Sequence, residues 1–381
     1  MKNIPYGHQN IDKNDISEVI KVLKSDWITQ GNKIEEFENS IKKYTGAKYC
    51  VAVSSGTAAL HISAISAGIK KNDEVITSPI TFVASANCIL YCGGKPVFAD
   101  IDSKIPNIDP KQITKKLTNK SMAIIPVDYS GHPCDLKEIY DIAKNKNLTI
   151  IEDASHALGA IYNRHKIGSC KYSDMAVLSF HPVKHITTGE GGMVLTNNKE
   201  LYDKLIALRN HGIIKDKKRL NRYDGPWYYE QHLLGYNYRI TDFQSALGIS
   251  QLKKLDKFIS KRRQIVKIYN QELKDLDLLK LPTEKENIKS SWHIYYIQIK
   301  KAKFRLHLFN KLRKNNIGCQ IHYIPVYYHP FYQKLGYNKY KYINAENFYN
   351  KVITIPLYPT MKEEEIKYII ETVKKEIKLL K

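Results

Sequence analysis

The sequence predicts an α/β protein with a large domain built on a mostly parallel sheet and a smaller α+β domain after it. Three observations carry that reading. Short β-branched apolar runs recur between residues 48 and 197, separated by helical periods. The connections between them are short, which suits strands crossing over through helices that cover both faces of one sheet. Beyond residue 250 the chain changes character, to a Lys-rich helical stretch and then a segment rich in Tyr, His and Pro. The division falls at 1–250 and 251–381.

The elements follow in order. YCVAV at 49–53 reads as the first strand, and the small residues of 57–67 as a helix. EVITS (74–78) is a strand, 82–91 a helix and PVFA (96–99) the next strand. A helix over 110–117 precedes MAIIPV (122–127), and a helix over 136–144 precedes LTIIED (148–153). Strands at 175–179 and 193–196 lead into a helix over 199–209. The second domain opens with one helix over 246–273 and continues with a strand through WHIYYIQI (292–299). A further helix, the Tyr/His/Pro stretch and an amphipathic helix over 363–379 close the chain.

Bulk properties narrow the class. Hydrophobic residues make up 43% of the chain, enough for a sizeable core. No run approaches roughly 18 uninterrupted apolar residues, and no basic start precedes an apolar stretch, so neither a membrane span nor a leader is expected. The six cysteines are scattered without a CxxC, which predicts reduced thiols and a cytoplasmic location. The net charge of +22 invites a nucleic-acid partner. Only nine of the 60 basic residues are arginine, however, and the lysines are dispersed. Readers of base edges and phosphates lean on clustered arginine, so no nucleic-acid partner is expected. No metal is expected either: there is no HExxH, and His132-x-Cys134 has no companions at ligand spacing.

In an open α/β sheet, ligands bind beyond the carboxyl ends of the strands. Ser54-Ser55-Gly56-Thr57-Ala58 follows the first strand and opens a helix. It is either a phosphate cradle or an ordinary helix cap. Glu152 and Asp153 end a strand, where a carboxylate can be a structural cap or the partner of a protonated ring nitrogen. In LSFHPVKHITTGEGG (178–192), Lys184 sits at a strand end before a glycine turn. A lysine desolvated there loses its proton readily and becomes a nucleophile able to form Schiff bases. Phosphate cradle, carboxylate and amine, in that order on one sheet, are the three anchors of pyridoxal phosphate.

The motifs SSGTAAL, EDASHALGA, SFHPVKHITTGEGG and GYNYRITDFQSALG (235–248) resemble the DegT/DnrJ/EryC1/StrS family of sugar aminotransferases over essentially the whole chain. The resemblance implies the pyridoxal-phosphate fold type I, with pyridoxamine phosphate forming during turnover. It implies Lys184 as the Schiff-base lysine and Asp153 as the partner of the ring nitrogen. Gly56, Thr57, Ala58 and Ser179 would hold the phosphate, His156 would flank the ring oxygen and Phe82 would pack near the ring. Asn237 would reach a phosphate in a neighbouring subunit, implying a homodimer with shared active sites. Tyr6, Asp26, Trp27, Ile28, Thr29, Ser55 and the stretch His322-Tyr323-Ile324-Pro325 would contact a nucleotide sugar, with L-glutamate as amino donor. His185 departs from a proline common after the lysine.

IPYGHQNID, SFHPVK and IHYIPVYYHPFY resemble most the branch that aminates a UDP-linked 4-keto-6-deoxy-N-acetyl sugar on the way to pseudaminic acid. Another UDP- or dTDP-keto sugar, such as a bacillosamine precursor, is the alternative. A sugar dehydratase of the same family would carry histidine in place of Lys184. A binding module of this fold on DNA would predict salt-dependent DNA retention and no amino transfer.

Overall fold

A computed structural model describes residues 3–380. Seven strands form one sheet: β1 (Tyr49–Val53), β2 (Glu74–Thr77), β3 (Lys95–Phe98), β4 (Ser121–Ile125), β5 (Thr149–Asp153), β6 (Met175–Ser179) and β7 (Gly192–Thr196). Their order across the sheet is β1-β7-β6-β5-β4-β2-β3. Strands β2 to β6 pair in parallel, and β7 is antiparallel to both β1 and β6. The sheet is therefore mostly parallel, as the apolar runs predict. β6 is buried up to Ser179 and β7 throughout, because helices cover both faces.

Successive side chains feed different cores. Val51, Val53, Val75 and Val177 pack with the helix α3 (Gly56–Ser66). Ala52, Ile76, Ala176 and Leu178 pack on the other side with Phe37, Ile41 and Leu255. At the functional edge Gly192 pairs with both Val53 and Ser179. A side chain at Gly192 would lie 2.3 Å from the Ser55 carbonyl oxygen, so this approach of backbone to backbone needs glycine.

Two N-terminal helices precede the sheet, α1 (Lys13–Leu23) and α2 (Asn32–Thr45), neither of which the sequence reading anticipated. α1 starts at an Asp12–Asp15 capping box, with Asp15 fully buried. The expected single helix over 246–273 is two helices, Asp242–Leu252 and Leu255–Leu273. At the break, Lys254 reaches back to the carboxylates of Asp12 and Asp15.

The C-terminal part holds a three-stranded antiparallel sheet of Leu279–Lys280, Tyr295–Ile299 and Val352–Ile355, with Tyr295–Ile299 in the middle. Helices Leu255–Leu273 and Glu363–Lys378 cover it. The middle strand begins at Tyr295 rather than Trp292 because the preceding residues bond elsewhere. Ser291 N–H donates to Gly131 O (3.0 Å) and His293 N–H to Ser130 O (2.9 Å). The start of the chain also differs from the expected 1–250 grouping. Ile4 belongs to this second core, and Leu357 N–H donates to the Tyr6 carbonyl. The Tyr/His/Pro stretch runs back over the large sheet, where Val326 N–H donates to Pro79 O and the Tyr337 hydroxyl to Pro96 O. That path carries His322 and Tyr323 to the strand ends. No described helix is long and apolar enough to cross a membrane.

Candidate active site

A cleft of about 440 Å³ opens where the carboxyl ends of β1, β5 and β6 meet the returning segment at 322–323. Asp153 ends β5 and is 5% exposed. Ser85 Oγ–H donates to its Oδ2 at 2.7 Å, and Ser155 N–H to its Oδ1 at 3.2 Å. Thr81 holds Ser85 through a 2.8 Å hydroxyl pair. Only neutral donors thus meet this buried carboxylate, an arrangement that favours a cationic N–H partner.

Lys184 stands on the loop that joins β6 to β7. The loop is pinned at its ends: Phe180 N–H donates to Gly191 O and Thr188 N–H to Phe180 O. Thr187 Oγ–H also donates to Phe180 O, and Gly189, at φ +80°, turns the chain back towards β7. The Lys184 side chain as a whole is half-buried where it opens on the cleft, but protein surrounds its ammonium. Burial lowers its pKa to about 8, with Asp153 pulling the other way. No hydrogen-bond partner holds its Nζ among the described residues, so the amine is free to react.

At the mouth of α3, Ser55 Oγ caps the helix by accepting from Ala58 N–H at 3.0 Å. Gly56 and Thr57, in the first turn, have no helical carbonyl to donate to. Gly56 lies against Ser179, whose Cβ would be 3.0 Å from a side chain built there. Two free amides, the positive helix end and the Ser179 hydroxyl make a place for a dianion. His156 forms the opposite wall, 5% exposed, with its Nε2 3.1 Å from the Tyr323 hydroxyl. The Phe82 ring stands 6.2 Å from that of Tyr323.

The cleft brings together Tyr6, Ser55, Gly56, Thr57, Phe82, Asp153, His156, Ser179, Lys184, His322 and Tyr323. Others singled out in the sequence lie outside it. Ala58 is buried and its amide is already taken by Ser55. Ile324 and Pro325 pass beyond the rim, with Pro325 capping the short turn that follows. Asp26, Trp27, Ile28, Thr29 and Asn237 are all exposed on the surface. The sequence reading missed Thr81 and Ser85, which orient Asp153. A small hydroxyl residue just after a parallel strand, within SPITFVASAN, is the signal that could have found them.

The residues fit pyridoxal phosphate: a buried carboxylate with room for one more donor, an unpaired amine of lowered pKa and an anion cradle share one cleft. Fold and site together define a fold type I, pyridoxal-phosphate-dependent aminotransferase. The chain belongs to the DegT/DnrJ/EryC1/StrS aminotransferase family, whose profile matches residues 9–374. It is 41% identical to the UDP-4-amino-4,6-dideoxy-N-acetyl-β-L-altrosamine transaminase of Campylobacter jejuni, over 97% of this chain and 96% of that one. The solved structure of Helicobacter pylori PseC, an aminotransferase of pseudaminic acid biosynthesis, superposes with a TM-score of 0.92. It is 33% identical and covers 99% of this chain and 100% of its own. A sugar aminotransferase of Streptococcus pneumoniae, Spr1654, solved in PLP and PMP forms, superposes at 0.93 with 29% identity and full coverage of both chains. The chain is accordingly a pyridoxal-phosphate-dependent aminotransferase acting on nucleotide sugars.

Proposed function

We propose that the enzyme converts UDP-2-acetamido-2,6-dideoxy-β-L-arabino-hexos-4-ulose to its 4-amino sugar, with L-glutamate as donor, in pseudaminic acid biosynthesis. The observation that carries the chemistry is Lys184 Nζ, unpaired and partly deprotonated at neutral pH, in one cleft with Asp153. Likeness to the C. jejuni and H. pylori enzymes supports the substrate.

Pyridoxal phosphate, when bound, supplies an electron sink and carries the amino group between donor and acceptor. The chain supplies the rest. Lys184 Nζ takes a proton from the donor's α-carbon and returns one to C4 of the sugar, on the same face of the cleft. Asp153 holds a proton on the ring nitrogen through its carboxylate, which Ser85 and Ser155 keep aligned. Gly56, Thr57 and Ser179 bind the phosphate, and Phe82 and His156 confine the ring. Tyr6, His322 and Tyr323, at the rim, contact the nucleotide sugar.

The cleft is completed by a second copy of the chain. Along α1 and just after it, Ile16, Ile20, Leu23, Trp27 and Ile28 are exposed, and Trp227 and Leu234 are 74% and 78% exposed. Ile16, Ile20 and Leu23, at i, i+4 and i+7, share one side of α1, an exposed apolar stripe suited to association. Asn237 and the 26–29 segment lie outside their own cleft, which suits their reaching the phosphate and sugar sites of the partner protomer. The six free thiols fit a reducing, cytoplasmic setting.

The test supplies purified enzyme with glutamate and the UDP-4-keto sugar and follows the 4-amino product by mass spectrometry. Turnover of a dTDP-keto or bacillosamine-type sugar in its place would replace the substrate but leave the chemistry. No amino transfer to any keto sugar would remove the reading.

A further inference from the structure

A second cavity, of about 280 Å³, lies between the two parts of the chain and shares no lining residue with the cleft. One side of it is the turn at 101–106 that follows β3. The other is the three-stranded C-terminal sheet with the end of helix Ile343–Lys351. Phe348 lines it, and the Phe348 ring meets the Tyr129 ring edge-on at 5.7 Å. Tyr129 in turn donates to the His322 carbonyl, so two aromatic rings separate this cavity from the cleft rim.

The sequence places an amide where a strand would bury an apolar side chain. Along Tyr295–Ile299, Tyr295, Ile297 and Ile299 enter the C-terminal core, and Gln298 points to the other side, as alternation requires. Gln298 is 8% exposed, yet its side-chain amide has no hydrogen-bond partner among the described residues. A buried amide normally finds both donors and acceptors. This one opens on the cavity, so its partner must come from there.

Four lysines stand around it. Lys280 is the cross-strand neighbour of Gln298, and Lys300 follows two residues along the chain. Lys351 precedes Val352, the neighbour of Gln298 on the other side, and Lys104 comes from the turn after β3. Lys280 Nζ donates to the Ser103 carbonyl at 3.0 Å, and none of the four meets a carboxylate among the described residues. One acid lines the cavity, Asp102. Its Oδ1 already accepts from Lys104 N–H (2.8 Å) and Ile105 N–H (3.0 Å), bonds that shape the turn. Four ammoniums against one engaged carboxylate make a small space that attracts negative charge. No arginine lines it, so the planar fork that grips a carboxylate is missing, while compact ammoniums suit the several oxygens of phosphate groups.

We propose that this cavity is a binding site for a small phosphate polyanion, a diphosphate either free or within a nucleotide, held by Gln298 and by lysines from both sides. The site rests on neither the substrate nor the cofactor read in the cleft.

The test is calorimetric titration of pyrophosphate into the full chain with pyridoxal phosphate present, compared with sodium chloride at equal ionic strength. A pyrophosphate site with Kd below about 1 mM is expected. Gln298→Leu, which keeps the strand position apolar and filled, should weaken it about tenfold or more. Lys104→Ala and Lys351→Ala, one from each side, should each weaken it by a similar factor. Both lysines reach solvent, so these variants test the site even if Gln298→Leu does not fold. All three should leave the half-reaction with glutamate at its wild-type rate, since none lines the cleft. UDP titrated in the same way separates the sources. A UDP site lost in Gln298→Leu supports a nucleotide as the ligand, and UDP binding that the variant leaves whole, beside lost pyrophosphate binding, supports a free diphosphate. No pyrophosphate binding beyond that of chloride, or equal binding by wild type and all three variants, overturns the proposal.

Discussion

The cleft around Lys184 and the exposed segments carrying Trp27, Trp227, Leu234 and Asn237 are built on opposite terms. In the cleft the chain itself sets the frame: Ser85 and Ser155 hold Asp153, Ser55 caps α3, and Phe180 anchors the lysine loop. In those segments the large side chains stand out from the surface, with Trp227 and Leu234 about three-quarters exposed. Residues that the family likeness assigns to one ligand are thus split between the two regions. The difference teaches that one chain positions the groups of the chemical site by itself, whereas residues 26–29 and Asn237 have no place in its own cleft.

The comparison breaks most sharply at the lysine. Lys184→Ala is expected to lower turnover by at least about 10²–10⁴-fold and to abolish the visible cofactor band. A variant that kept both would move the chemistry elsewhere. Leu234→Asp would place an uncompensated charge in the proposed association surface. Sedimentation should show dimer affinity falling by about 10²-fold or more, with the fold of each protomer intact. A dimer that tolerates this change would mean the face serves another purpose.

Smaller effects sharpen the picture within the cleft. Ser85→Ala removes a hydrogen bond to a buried carboxylate, and kcat should fall about tenfold while sugar KM holds, measured in steady state. Lys184 titrates near pH 8, lowered from 10.5, so its neutral fraction grows as pH rises. The rate at which cofactor-free enzyme captures pyridoxal phosphate should therefore climb a few-fold towards pH 8 and level off above about pH 9. A rate still rising steeply beyond pH 10 would mean an ordinary solvated lysine.

What could be read from sequence follows from how local each cause is. Asp153, Lys184 and the Ser55–Thr57 turn each stand at a strand end within a short motif, so strand order alone gathers them. The Ser85 bond to Asp153 spans 68 positions, so the hydroxyl within SPITFVASAN is legible while its partner is not. The helix break at Lys253–Lys254 answers to Asp12 and Asp15 at the far end of the chain, where a run of good helix formers gave no warning. Much of the apolar stripe of α1, Ile16, Ile20 and Leu23, faces outward rather than into the chain's own core. WHIYYIQI has strand composition throughout, and only the long-range bonds of residues 291 and 293 to Gly131 and Ser130 divert its first residues.

The central claim is that Lys184 and Asp153 hold pyridoxal phosphate and that glutamate delivers the amino group. The measurement that tests it most directly is an absorbance spectrum of the purified protein with pyridoxal phosphate, before and after glutamate alone is added. A visible band that gives way on glutamate to the pyridoxamine phosphate spectrum, with 2-oxoglutarate released in equal amount, is the predicted result. No band with added cofactor, or a band that glutamate leaves untouched, would contradict it.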